Sequence, residues 1–91
     1  MMFDLSITNQ YKRDLKLARK RGLDENLLDY IIQLLIQGKP LPAKNKDHAL
    51  TGDYKGCREC HISPDWLLVY SVDNGINLLT LVRTGTHSDL F

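Results

Sequence analysis

The strongest constraint on this chain lies near its end, where Asn74-Gly75 separates two apolar runs, 66–72 and 76–84. Asn and Gly both tolerate the positive φ of a tight hairpin turn, so this dipeptide predicts two antiparallel strands. A third strand-like run, about 57–63, is set off by Pro64-Asp65. Three strands joined by short turns form a sheet whose apolar face needs a cover.

The first half of the chain supplies that cover. Phe3, Leu5 and Ile7 alternate with polar residues and predict a short first strand. Thr8 or Asn9 caps a helix running to about Arg21, with Tyr11, Leu15 and Ala18 on one stripe. Gly22 ends it and Asp24 caps the next helix, whose Leu28, Ile31, Ile32, Leu35 and Ile36 repeat at core-facing spacing until Gly38 and Pro40 stop it. Residues 39–56 hold two prolines, two glycines and four lysines and read as a loop of a length that is often functional. The predicted order is β-α-α-β-β-β, an α+β fold with two N-terminal helices on a small, mostly antiparallel sheet. Ninety-one residues suffice for one modest core, so a single domain over 1–91 is expected.

Two-residue turns at 74–75 and 64–65 predict a register. Trp66 falls opposite Arg83 and His61 opposite Leu68, which places Glu59, His61, Trp66 and Arg83 on one sheet face. Ile62, Leu67, Val69, Leu78 and Val82 fall on the other face, expected to be the helix-covered one.

Net charge is +1, but it is unevenly spread. Residues 1–48 hold nine Lys/Arg against six Asp/Glu, and 12–21 alone hold six basic residues and one acid. Lys12, Lys16, Arg19 and Lys20 gather on one helix face, a ridge suited to phosphates or to solvent. The start has no basic segment followed by an apolar one, and no apolar run approaches a membrane span, so a cytoplasmic protein with no membrane partner is expected. Its two cysteines are then expected as free thiols.

"GCRECHISPDW" (56–66) admits three readings. Cys57-x-x-Cys60-His61 spells a haem-attachment signature, but on a strand positions three apart point to opposite faces. A structural zinc wants four ligands, and only one C-x-x-C is present. The third reading takes His61 and Asp65 as part of an acid–base site, with His48 and His87 from elsewhere in the second half. Histidine titrates near neutrality and arginine offers a permanently charged fork to phosphate oxygens, so Arg83 joins this set. Trp66 and Phe91 are candidates for stacking on RNA bases.

"DHALTG" (47–52), "RECHISPDWLLVY" (58–70) and "RTGTHSDLF" (83–91), in this order, closely resemble the YafQ branch of the RelE/ParE toxin superfamily, nearly end to end. The resemblance implies the toxin of a type II toxin–antitoxin pair, a ribosome-dependent endoribonuclease that cuts mRNA. It implies catalytic roles for His48, His61, Asp65, Arg83 and His87, and substrate contacts for Phe91, Trp66 and, as a lesser candidate, Glu59. Cleavage by the ribose 2′-OH needs a base, an acid and positive charge on the phosphorus. His87 is expected as acid and Arg83 as clamp, with Asp65 or His61 as base, His48 assisting and Phe91 stacking. No cofactor is expected, since no Asp/Glu cluster suits Mg²⁺. The implied partners are an antitoxin of the RelB/DinJ kind that folds on binding, the ribosome and mRNA, with operator DNA reached only through the antitoxin complex. The competing class is a ParE-like toxin that inhibits a protein such as DNA gyrase without cutting RNA.

Overall fold

The structure, a computed structural model, describes residues 2–91. Strand β1 (Asp4–Ile7) leads into helices α1 (Asn9–Lys20) and α2 (Glu25–Ile36). A short 3₁₀ turn (Ala43–Asn45), strand β2 (His48–Ala49) and a second 3₁₀ turn (Gly52–Tyr54) occupy the expected loop. Strands β3 (Arg58–Ser63), β4 (Trp66–Asp73) and β5 (Leu78–Gly85) follow, and helix α3 (His87–Leu90) ends the chain. The expected α+β architecture is present, with β2 and α3 in addition to the predicted elements. The five strands lie in the order β1-β5-β4-β3-β2, every pairing antiparallel except β1 with β5.

The helix boundaries follow local chemistry. Thr8 Oγ1 accepts from the Tyr11 N–H at 2.9 Å and Asp24 Oδ1 from the Asn26 N–H at 3.0 Å, each satisfying a donor the first helical turn leaves free. Tyr11 and Ala18 of α1 and Leu28, Ile31 and Leu35 of α2 are buried against Cys60, Ile62, Trp66, Leu68, Tyr70, Leu79 and Leu81 of the sheet. Ile32, Ile36 and Leu15 pack at the margin of this core. Among the described residues, no helix is long and apolar enough to cross a membrane.

The predicted register needs correction in three places. Asp73 pairs with Leu78 rather than Ile76, so the turn spans residues 74–77 and Asn77, not Gly75, takes the left-handed conformation (φ 52°). Bulges then break the ladders between His61 and Ser63 and between Val69 and Tyr70. His61 therefore lies opposite Leu67, and Val69 rather than Trp66 lies opposite Arg83. Because side chains alternate with period two, each one-residue bulge reverses which face the following residues occupy. Trp66 joins the helix-covered core, while Leu67, Val69 and Val82 form a smaller cluster on the other face with Leu90, Leu50, Tyr54 and Cys57.

Candidate active site

That second face carries the site residues in two cross-strand rows. His48 stands beside Glu59, Glu59 beside Val69, and Val69 beside Arg83. One row over, His61 faces Leu67, which faces Gly85 two residues before His87. With strands ~4.8 Å apart, the first row spans about 14 Å between backbones, so long side chains lean inward over an apolar floor. Leu90 of α3 packs on that floor.

His48 is exposed and fixed at both nitrogens. Its Nδ1 lies 2.7 Å from the Lys46 carbonyl and its Nε2 3.4 Å from Glu59 Oε1. A carbonyl only accepts, so Nδ1 donates to Lys46, while Nε2 faces the Glu59 carboxylate. Glu59 is 3% exposed, and its Oε2 has no partner. Buried beside His48, it presents little surface to a substrate. His61 is half-buried, and its carbonyl accepts from Asn45 Nδ2 at 2.7 Å.

Arg83 is held by α1. Where β1 stops pairing, the edge of β5 bonds to the helix instead: Thr8 Oγ1 donates to the Val82 carbonyl at 2.7 Å, and the Thr84 N–H donates to Asp14 Oδ2 at 3.2 Å. The same carboxylate takes Arg83 Nε at 3.0 Å and Nη2 at 2.9 Å, and Gln10 Nε2 at 3.0 Å. Burial alone would raise the Asp14 carboxyl, but Arg83, Gln10 and the Thr84 N–H together hold it below its ordinary value. The hydrogen bonds that Arg83 donates to Asp14 in turn raise the guanidinium further, with Tyr54 contributing. The Nε–Nη2 edge of the Arg83 fork is thus committed to Asp14, with Tyr54 beside the guanidinium.

Helix α3 delivers His87 and Phe91. Thr86 and Asp89 form a reciprocal capping box, and Arg21 at the end of α1 grips Asp89 at 2.6 and 3.1 Å. That grip lowers the Asp89 carboxyl well below the usual carboxylate range. His87 and Phe91 stay exposed with ring centroids 5.6 Å apart, and Tyr54 meets Phe91 edge-on at 5.6 Å.

One expected member stands apart. Trp66 is 1% exposed and its indole N–H donates to Thr84 Oγ1 at 2.9 Å, so it supports the core and offers no surface to a base. Asp65 lies exposed in the β3–β4 turn, where its charge is felt by Arg21. Cys57 and Cys60 do point to opposite faces, and burial pushes the Cys60 thiol up to about 12. The basic ridge is exposed as expected, with Arg19 drawn 3.0 Å from Glu25. Asp14, Tyr54 and Asp89 were not among the expected site residues. For Asp14 one clue existed, since it is the lone acid in the run 12–21.

Residues 3–91 match the family described as "Bacterial toxin of type II toxin-antitoxin system, YafQ". The chain is 48% identical to the Escherichia coli K12 protein named mRNA interferase toxin YafQ over 89 residues, covering 97% of this chain and 95% of that one. Its fold is similar to the crystal structure of YafQ from E. coli BL21(DE3), with a TM-score of 0.91 at 44% identity and 98% of each chain covered. It is similar also to the toxin in the E. coli DinJ-YafQ toxin–antitoxin complex, with a TM-score of 0.90, 47% identity, and 100% of this chain and 99% of that one covered. With sequence and fold in agreement over its length, the chain belongs to the YafQ family of bacterial toxins of type II toxin–antitoxin systems.

Proposed function

We propose that this toxin is a ribosome-dependent endoribonuclease that cuts mRNA without a metal, its 1–91 chain acting as one catalytic domain. The observation that carries this reading is the sheet face opposite α1 and α2, where His48, His61, Arg83, His87 and Phe91 are displayed around an apolar floor on which α3 and the 52–54 turn pack. The ribose 2′-OH attacks its own 3′-phosphate; the bond to the 5′-oxygen breaks, leaving a cyclic phosphate and a 5′-hydroxyl. His61 is the favoured base, because its ring shares the open face while Asp65 sits beyond it in the turn. His87 protonates the departing 5′-oxygen, and the Arg83 guanidinium meets the charge building on phosphate. His48 assists, its ring oriented by the Lys46 carbonyl and by Glu59. Phe91, backed by Tyr54, stacks on a splayed base.

The relatives support this reading by name: one is called an mRNA interferase, and one is found with DinJ. An antitoxin of the DinJ kind is the partner proposed here, wrapping the toxin through a segment that orders on binding. Mapping of new RNA 5′ ends within minutes of induction tests the proposal, comparing wild type with Arg83→Ala and His87→Ala at equal protein level. Ends in phase with codons, present for wild type and lost in both variants, are expected. Growth arrest without new ends would move the toxin to inhibition of a protein target.

A further inference from the structure

We infer that the cavity between the 43–45 turn and the end of β3 is a binding subsite for one message nucleotide beside the scissile phosphate. This rests on the nuclease reading above and assigns residues that it leaves unused. The cavity holds about 390 Å³ and is lined by His61 together with Lys44, Lys46, Ile62, Ser63 and Pro64. That volume lies within the range of small-molecule sites.

Its position follows from a gap in the sheet. Strand β2 pairs only with Arg58 and Glu59, so β3 beyond Cys60 has no neighbouring strand on that side. The 43–45 turn fills the gap, anchored by Asn45, which is 5% exposed and donates from Nδ2 to the His61 carbonyl at 2.7 Å. The carbonyl of the next residue, Lys46, accepts from His48 Nδ1 at 2.7 Å. One turn is therefore bonded to two of the three histidines of the open face, His48 and His61, and a nucleotide held against it is held in register with them. The cavity beside Pro40 and Tyr70 and the one on α1 between Arg13 and Lys20 have no site histidine in their walls.

The lining fits a nucleotide chemically. Pro64, with the small exposed part of Ile62, offers apolar surface to a flat base, and the Ser63 hydroxyl offers a donor and acceptor to its edge. Lys44 and Lys46 supply two cations for backbone phosphate, and neither is engaged in an ion pair among the described residues. The subsite thus contributes base preference at a fixed position next to the cut, while Arg83 and His87 contribute the chemistry.

The test is 5′-end mapping with base composition scored at each position flanking the cut. Wild type is compared with Lys44→Ala/Lys46→Ala and with Ser63→Phe, which fills the cavity; thermal melting qualifies each variant as folded. The expected result is a base bias at one flanking position that drops at least about fivefold in both variants, with codon phase kept. Wild-type base frequencies in the folded variants overturn the subsite, whether the ends are as numerous or uniformly fewer. A wild type that cuts without any flanking bias overturns it too. Absence of ends for wild type removes the nuclease reading itself, and is recognised because Arg83→Ala then changes nothing.

Discussion

Four hydrogen bonds converge on the Asp14 carboxylate, two of them from Arg83, which lets stability and catalysis be separated at one residue. Asp14→Asn keeps the shape but turns a donor toward the guanidinium, and at pH 7 it should cost about 1.5–3 kcal/mol in urea unfolding. The sign of the pH dependence follows from the lowered carboxyl. Its stabilisation is fully present above the unfolded carboxylate range, about pH 4, and is lost as pH falls through the lower folded value. The gap between wild type and variant should therefore narrow below about pH 4; a gap equal at pH 7 and in acid would mean the charge contributes nothing. His87→Ala makes the opposite separation. His87 is exposed, so melting should be unchanged while cleavage falls by ~10²–10⁴-fold. A fall in melting temperature of the same variant would instead make His87 a structural residue.

At the scale of elements, α3 is four residues long and no such helix persists in water by itself. It is held by the Thr86–Asp89 box, by Arg21 and by burial of Leu90, so His87 and Phe91 owe their positions to contacts outside the helix. Gly85 is the hinge of this arrangement: a Cβ there would lie 2.9 Å from Asp89 Oδ2 and 3.0 Å from Asp89 Cβ. Gly85→Ala should push Asp89 off its cap, costing about 1–3 kcal/mol, and cleavage should fall with the His87 and Phe91 amide resonances displaced. Unmoved resonances with normal cleavage would show that the helix docks without this clearance. The helices α1 and α2, their caps and the three main strands were legible in the chain, because capping and periodicity act over a few residues. Helix α3 was not, because beyond its local capping box it depends on Arg21 and on burial of Leu90, contacts made far away in sequence.

For the whole molecule, the sheet divides the surface into a helix-covered side and a site side, with the exposed lysines of α1 as a further charged feature. If that ridge meets ribosomal RNA, replacing Lys16, Arg19 and Lys20 by Ala should weaken ribosome association and reduce its salt slope by about one for each phosphate no longer neutralised. Arg19 should contribute least, being paired with Glu25. Ribosome association unchanged in strength and slope would leave the ridge as a solvated face. The amino-acid sequence by itself determined the main strands and helices, the helix caps, the opposed directions of Cys57 and Cys60, and through resemblance the chain's family. Only the tertiary structure decided which side chains meet. A bulge at Ile62, another at Val82 and a four-residue turn at 74–77 moved Trp66 into the core and brought Val69 beside Arg83. Facing in a strand has period two, so one inserted residue inverts it, and whether an insertion forms depends on packing against both faces at once. The Asp14–Arg83 pair is of the same kind: its partners lie 69 residues apart, and their meeting depends on α1 crossing the bare edge of β5.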